Sequence, residues 1–282
     1  MKQTVNSAVQ EKLKNLSVLP PGIAKLLKVF SDEDISRLEL VAALEQYPSI
    51  IARLIALANS AWSAPVSPVV TLEIACSRLG FNVVRSVSIA LAISTPFDPN
   101  RCKSFEADRF LCSSMLTAEA AGFMAKLVGE VEPQIARTAG LLHNLGLLLL
   151  VDSLPHETDC ALKKVQQDPA LSVNMALKEK CGIGYDEAGA MLGEAMELPR
   201  SLVEVMACHR SDMRTDEYHS LIGIIGIARE MVSTCYRQEI YSSDNGLRRG
   251  DEHVSSQLEE VFAKMSENFS RTQQMASTLI NV

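Results

Sequence analysis

The chain has 282 residues, of which 47% are hydrophobic and 22% charged, and 27 basic against 34 acidic residues give a net charge of −7. This composition excludes a disordered or collagen-like chain, and the length is sufficient to bury a large core without disulfides or structural metals. Binding to nucleic-acid phosphates or anionic lipids requires a basic excess, so neither is expected as a principal partner.

The cysteines and the apolar runs indicate the compartment. The seven cysteines are scattered singly without a CxxC pair, which suits reduced, mostly buried thiols better than a zinc or redox motif. The N-terminus has no apolar signal-peptide core. The most apolar runs, 145–151 and 221–228, are shorter than the roughly 20 residues that span a bilayer. We therefore expect a cytoplasmic protein without membrane insertion.

Helical signals begin at Ser36. Ser36 and Glu39 form an S-x-x-E capping box for a helix that stops before Pro48. Pro48 suits the first position of the next helix, where its missing N–H costs nothing. The apolar stripe predicted for this second helix comprises Ile50, Ile51, Leu54, Leu57 and Ala58.

Two further helices are predicted before Pro96. Ser67-Pro68 should open the third helix, and Gly80 is placed to end it. Asn82 is a favourable N-cap residue for the fourth helix, which ends before Pro96.

The middle of the chain continues the helical pattern. A long helix is predicted over about 105–127. Glu132-Pro133 then opens a segment that ends near Pro155, and because it is apolar almost all round we predict one central buried helix. Shorter helices are predicted over 156–167, 171–180, 184–197 and 199–209.

The C-terminal part is predicted to follow a hinge at 210–215. An apolar helix over 218–237, a polar loop over 242–253 and an amphipathic helix within 254–279 succeed one another. Sustained alternation with period two is absent from the sequence, so the predicted fold class is all-α.

One short motif carries chemical information: GLLHNLG, residues 140–146. It resembles the His-Asp doublet of the HD phosphohydrolases, in which a distant His, the doublet and a later Asp ligate a divalent metal. That metal lowers the pKa of a bound water for attack on phosphorus. Here the doublet is His143-Asn144, and an amide oxygen without charge is a poor ligand for a hard cation.

Five separated segments resemble the HDOD family, the HD-related output domain of bacteria. They cover about 18–210 and are LPPGIAKLLKVF (19–30), QYPSIIARLIALANSAW (46–62), PVSPVVTLEIACSRLGFNVVRSVSIALA (65–92), AGLLHNLGLLLL (139–150) and ELPRSLVEVMACHR (197–210). The resemblance implies an all-helical HD-like core that has lost its metal ligands, with a regulatory or scaffolding role.

The chain departs from the family's histidine pattern at two positions. Ser113, in FLCSSMLTAE, stands where the resemblance places a His, and Tyr185, in IGYDEAG, stands where it places a second. His209 matches the family's histidine after LPxxLV. His143, Asn144 and Ser113 are therefore interpreted as vestigial metal positions, and we expect no catalytic residue, metal or cofactor.

The buried motif residues have structural as well as functional interpretations. His143 is a buried, hydrogen-bonded imidazole, a vestigial ligand contact or a working metal ligand. Asn144 is a core hydrogen-bond node or a ligand contact. His209 lies near a helix C-terminus, where a cation is favoured, or contacts a ligand.

Three further residues are candidate contacts. Asn59 either ends its helix or contacts a ligand or partner. Arg78 and Arg85 either bind a phosphate or a partner's carboxylate, or form solvated or intramolecular ion pairs.

These observations predict three segments: a helical lead-in (1–17), an HDOD domain (18–210), and a C-terminal helical extension (211–282) that packs on the core and is not an independent domain. The expected function is a non-catalytic bacterial signalling module that binds a protein partner. Alternatives are a metal-dependent HD-type phosphohydrolase acting on a nucleotide or cyclic dinucleotide, and a sensor that binds a small ligand in the vestigial pocket.

Overall fold

The computed structural model describes residues 36–60, 63, 67–168, 170–209, 218–237 and 252–281, together with positions 9 and 11. These residues form helices and contain no strand, which confirms the all-α prediction. Most of the predicted lead-in, the segment 19–30, the hinge at 210–215 and most of the loop at 242–253 lie outside the described residues.

The described helices follow the predicted order with several changed boundaries. They are α1 (Arg37–Leu44), α2 (Pro48–Asn59), α3 (Leu72–Leu79), α4 (Phe81–Ser94), a 3-10 turn (Pro99–Arg101), α5 (Ala107–Val128), α6 (Pro133–Leu142), α7 (Leu145–Ser153), α8 (Pro155–Gln167), α9 (Val173–Cys181), α10 (Tyr185–Ala195), α11 (Arg200–Cys208), α12 (His219–Arg237) and α13 (Glu252–Asn281).

The chain divides into two compact units, each assembled from three separate segments. The first unit comprises 1–25, 93–107 and 142–222, and the second comprises 26–92, 108–141 and 223–282. Unit boundaries therefore fall within α4, α5, α6 and α12. This division describes packing and does not test the predicted HDOD domain and C-terminal extension as domains, which stay predictions.

Local capping fixes the first two helices as predicted. The Ser36 hydroxyl accepts a hydrogen bond from the Glu39 N–H at 3.2 Å, and the Glu39 carboxylate accepts one from the Ser36 N–H at 2.9 Å. Pro48 is the first residue of α2. Of the predicted stripe, α2 buries Ile50, Leu54, Leu57 and Ala58, whereas Ile51 is half-buried.

Two predicted helix starts are wrong. Helix α3 begins at Leu72 instead of near Pro68, because the Thr71 hydroxyl accepts the Ile74 N–H and forms the N-cap. Helix α4 begins at Phe81, so Asn82 lies inside it. Gly80 adopts φ 84° and ψ 152°, a conformation that glycine reaches readily. It thereby joins the two helices at an angle of 114° with a single residue.

The predicted central helix is interrupted at His143-Asn144. Residues 133–153 form α6 and α7, separated by a turn in which the Asn144 carbonyl accepts the Leu147 N–H at 2.9 Å. Asn144 has φ −107° and ψ 11°, outside the helical range. The doublet therefore lies at a helix junction and not within a helix.

The C-terminal helix α13 packs within the second unit. Its buried residues recur at spacings of three and four, which gives one apolar stripe along the helix. These residues are Leu258, Val261, Met265, Thr272, Met275, Ala276 and Leu279. The helix lies against α2, and the Arg53 guanidinium donates to the Leu279 carbonyl at 3.0 Å. Helix α13 is thus part of the packing of the second unit.

Among the described residues, two segments are long and apolar enough to span a membrane: α5 and 133–153. The bent pairs α1–α2 and α3–α4 qualify only if each pair is counted as one span. Neither segment is an uninterrupted apolar run, so neither was expected from the sequence. The most apolar stretches of α5 and 133–153 are 67% and 72% buried inside the protein, as in core helices.

Two carboxylates have opposite electrostatic environments. Burial raises the pKa of Glu119 on α5, although Arg137 and a hydrogen bond from Asn268 oppose that shift. In the first unit, hydrogen bonds from Lys163 and Ser104 lower the pKa of Asp159 to about 2.

These two carboxylates predict opposite pH dependences of stability. A raised native pKa means that the stability contributed by Glu119 is present in acid and is lost as pH rises from about 4 through that pKa. Glu119→Gln should therefore gain stability relative to wild type between about pH 4 and pH 7, measured by urea unfolding.

Asp159→Asn provides the opposite comparison. The stability contributed by Asp159 is present above its unfolded pKa and is lost as pH falls toward about 2. The cost of Asp159→Asn should therefore shrink in acid. Parallel pH profiles for the two variants would contradict the assigned environments.

Candidate functional site

The candidate site is built where α7 crosses α10 in the first unit. A Cβ added to Gly146 would collide with the Tyr185 carbonyl oxygen and the Gly189 nitrogen, and would lie 2.8 Å from the Gly189 Cα. Backbone atoms cannot move aside as a flexible side chain can, so only glycine fits at 146. This contact places the His143-Asn144 turn beside the first residue of α10.

Three rings meet at this crossing. The imidazoles of His143 and His209 are arranged edge to face, with ring centroids 5.2 Å apart and planes at 87°. The Tyr185 ring lies 5.8 Å from that of His209, tilted by 32°. All three side chains are buried. We refer to His143, Tyr185 and His209 as the ring cluster.

Backbone contacts determine which nitrogen of a neutral His209 ring carries the hydrogen. His209 caps the C-terminus of α11, and its Nδ1 lies 2.9 Å from the Val205 carbonyl oxygen and 3.2 Å from that of Met206. A carbonyl can only accept, so Nδ1 carries the hydrogen and Nε2 of the neutral ring is an acceptor. His209 therefore lies at a helix C-terminus, as predicted.

Tyr185 is held by a polar node between α9 and α10. The Asn174 side-chain oxygen accepts the Tyr185 N–H at 2.8 Å, and its amide donates to the Asp186 carboxylate at 2.6 Å. Lys178 lies 3.4 Å from the same carboxylate oxygen of Asp186. Asp186 therefore supports the start of α10 structurally.

Asn144 is buried, with 9% of its surface exposed, and occupies the N-cap position of α7. Its side chain makes no capping hydrogen bond to that helix. Its predicted burial is thus confirmed, and its amide is the neutral group that stands beside His143 in place of a carboxylate.

The predicted site residues divide between the two units. His143, Asn144, Tyr185 and His209 belong to the first unit, whereas Ser113 belongs to the second, on α5, where it is half-buried. The remaining predicted contacts also belong to the second unit; they are Asn59, Arg78 and Arg85.

The two arginines differ in exposure. Arg78 is half-buried in the last turn of α3. Arg85 is 3% exposed, and its guanidinium lies 4.9 Å from the centroid of the Phe81 ring. The contact with Phe81 is a cation–π interaction within the protein.

Asn59 makes contacts within its own unit. Its amide donates to the carbonyls of Ile55 at 3.0 Å and Val69 at 2.7 Å, and its oxygen accepts the Val69 N–H at 2.8 Å. These bonds end α2 and fasten the chain before α3, in agreement with the structural interpretation of Asn59.

The ring cluster does not fit the metal centre of the HD phosphohydrolases, which the His143-Asn144 doublet resembles. Two imidazoles lie together, but the adjoining residue is a neutral amide. Within the described part of the chain, no group of three His, Cys, Asp or Glu side chains is placed to hold a metal ion. A centre built from imidazoles and carboxylates lacks its charged ligands here.

Comparison with known proteins identifies the family. The sequence profile of the HDOD domain matches residues 16–211, more than two thirds of the chain. The chain belongs to the HDOD family. No protein of curated function matches this HDOD protein.

Solved structures with similar folds cover nearly the whole HDOD chain. A candidate phosphohydrolase from Shewanella amazonensis SB2B is 25% identical, with a TM-score of 0.69 over 96% of this chain and 98% of its own. A candidate signal transduction protein from Marinobacter aquaeolei VT8 is 18% identical, with a TM-score of 0.77 over 99% of this chain and 66% of its own.

An HDOD domain protein of unknown function from Geobacter sulfurreducens is 17% identical, with a TM-score of 0.69 over 98% of each chain. At these identities, the Marinobacter and Geobacter structures establish the fold alone.

Sequence reasoning missed three residues that position the site: Gly146, Gly189 and Asn174. The two glycines lie inside helices, where glycine costs stability unless a close approach requires it. Glycines at two positions inside predicted helices were therefore the available sequence signal for a close helix crossing. A buried Asn in the first turn of α9 has no equivalent signature.

The helix crossing predicts unequal effects of two glycine substitutions. Gly146→Ala in this HDOD domain should lower the free energy of unfolding by about 2 kcal/mol or more, because the methyl group meets backbone. Gly189→Ala is the matched control, since its Cβ would lie 3.4 Å from the Met206 Cβ, an ordinary contact. It should be neutral or stabilising by up to about 1 kcal/mol. Equal effects in urea unfolding would contradict the crossing.

The hydrogen bonds of Asn59 predict that a negative charge at this position destabilises the protein. Asn59→Asp replaces two N–H donors by an oxygen facing two carbonyls, and should cost about 1–2 kcal/mol of unfolding free energy. Asn82→Asp, at an exposed position of α4, makes the same chemical change as a control. Thermal unfolding would measure both, and equal stability of the two variants would contradict the role of Asn59.

Proposed function

We propose that this HDOD protein is a non-catalytic regulatory module that presents a helical surface to a protein partner in a bacterial signalling pathway. The observation that carries this proposal is the side chain that follows His143 of the ring cluster: Asn144 supplies a carboxamide where a metal centre would need a carboxylate. A hard divalent cation needs charged oxygen ligands, and activation of water for attack on phosphorus needs that cation.

The ring cluster supports packing better than hydrolysis. His143 and His209 are 2% and 4% exposed, and each is in edge or tilted contact with another ring. Such aromatic contacts stabilise a fold beyond their buried area. In this proposal the former catalytic centre now holds α7, α10 and α11 together, and recognition belongs to other surfaces.

Metal-dependent phosphohydrolysis of a nucleotide or cyclic dinucleotide is the second candidate. The Shewanella relative named as a candidate phosphohydrolase favours it. So does the hydrogen bond from His209 Nδ1 to a backbone carbonyl, since metal-binding histidines commonly donate their second nitrogen in this way. A sensor that binds a nucleotide without hydrolysis is a third possibility.

Elemental analysis and activity assays separate these functions. We expect the purified protein to carry much less than one Fe, Mn, Ni or Mg per chain and to leave nucleotides and cyclic dinucleotides intact. Stoichiometric metal that is lost in His143→Ala would overturn the proposal. In the same preparation, a nucleotide at 100 times its dissociation constant would add about 2.7 kcal/mol of stability, which would identify a sensor.

Introducing a negative charge at position 144 should increase the affinity of the site for metal ions. Asn144→Asp exchanges an amide for a carboxylate of the same size, so the site would hold two imidazoles and one anionic oxygen. We expect this variant to bind Ni²⁺ or Mn²⁺ at least about tenfold more tightly than wild type in calorimetric titration.

A second variant tests whether the gain belongs to the ring cluster. Combining Asn144→Asp with His209→Ala removes one imidazole and should abolish the gain. Metal binding by wild type equal to that of Asn144→Asp would show that the amide is not the limiting ligand.

A further inference from the structure

A thiol and an imidazole lie together on α8, apart from the ring cluster. His156 is the second residue of the helix and Cys160 follows one turn later, so both side chains lie on one helix face. The Cys160 sulfur is 3.6 Å from Nδ1 of His156. The thiol is half-buried and the imidazole is exposed, so small molecules in solvent can reach the pair.

Four other cysteines have surroundings that make their thiols less reactive. Cys102, Cys112 and Cys181 are buried, and burial raises the pKa of each thiol, to about 11 for Cys181. Burial also raises the pKa of the half-buried Cys235, whose sulfur contacts the Ser266 hydroxyl at 3.3 Å. A raised pKa lowers the thiolate fraction, and the thiolate is the nucleophile.

We propose that Cys160 is a site of S-thiolation by low-molecular-weight disulfides, with His156 as the base that accepts its proton. The Cys160 sulfur attacks one sulfur of the disulfide, so a Cys160–S–S–R bond forms as the R–S–S–R bond breaks. The Cys160 proton passes to His156 Nδ1 and then to the departing thiolate, which leaves as RSH. The disulfide is the oxidant, and its second sulfur is reduced.

A cation near the pair supports the same chemistry. Lys163 lies on α8 three residues after Cys160, and a Cys160 thiolate would interact favourably with its ammonium group. Lys163 also pairs with Asp159 at 2.7 Å, and Asp159 accepts the Ser104 N–H at 2.8 Å. An adduct on Cys160 would therefore adjoin the contacts that fasten residues 102–105 to α8.

The test uses the full chain and oxidised glutathione as the disulfide. Near neutral pH, peptide mass spectrometry should find the first glutathionyl group on Cys160, and Cys160→Ser should remove that adduct. First modification of Cys208 or Cys235 would overturn the proposal.

The role of His156 is tested by a pH profile. His156→Gln should slow modification of Cys160 about threefold or more near neutral pH. It should have no effect at about pH 10, where hydroxide in solution can take the proton in place of the imidazole. His219→Gln is the matched control and should react as wild type does. An unchanged rate in His156→Gln near neutral pH, or equal slowing at both pH values, would show that His156 is not the base.

Discussion

The crossing of α7 and α10 at Gly146 is the constraint on which the candidate site depends. With no side chain at Gly146, the backbone of α7 contacts the Tyr185 carbonyl and the Gly189 nitrogen directly. Because His143 precedes α7 by two residues and Tyr185 begins α10, this one contact sets the spacing between them. The third ring, His209, comes from α11, which packs on α10 in the same unit. A larger residue at 146 would separate the elements before it affected any ring.

Polar contacts around this crossing satisfy several of its buried hydrogen-bonding groups. A buried polar group costs free energy unless it is hydrogen-bonded. His209 satisfies Nδ1 with the carbonyls of its own helix, and Asn174 satisfies the Tyr185 N–H and contacts the Asp186 carboxylate. These bonds use backbone and neighbouring side chains and need no ligand. The site can therefore be stable as a packing element, which is what a regulatory module without catalysis requires.

Local chemistry made much of the fold predictable. Capping at Ser36 and the position of Pro48 depend on residues within one or two turns, and both are seen in the structure. The errors arose where distant backbone decides. The break after α6 coincides with the close approach of Gly146 to α10, and hydropathy along 133–153 does not reveal that contact. At Asn82 the pattern favoured a cap, but the conformation of Gly80 allowed the helix to begin at Phe81, two residues earlier than an Asn82 cap would place it.

Comparison with the family pattern selected the rings but not their supports, and the other candidates, Asn59, Arg78, Arg85 and Ser113, belong to the second unit. His143, Tyr185 and His209 were selected by comparison with a family pattern, and they do lie together. Gly189 and Asn174 act through tertiary contacts and have no motif, so they were missed. The residues that shape the site are thus different from those that would do chemistry in it. An amide in place of a carboxylate at position 144 changes the charge and leaves the glycine contact and the ring packing unchanged, because Asn and Asp have nearly the same size. A scaffold of this kind can keep its fold while a few ligand atoms decide its chemistry.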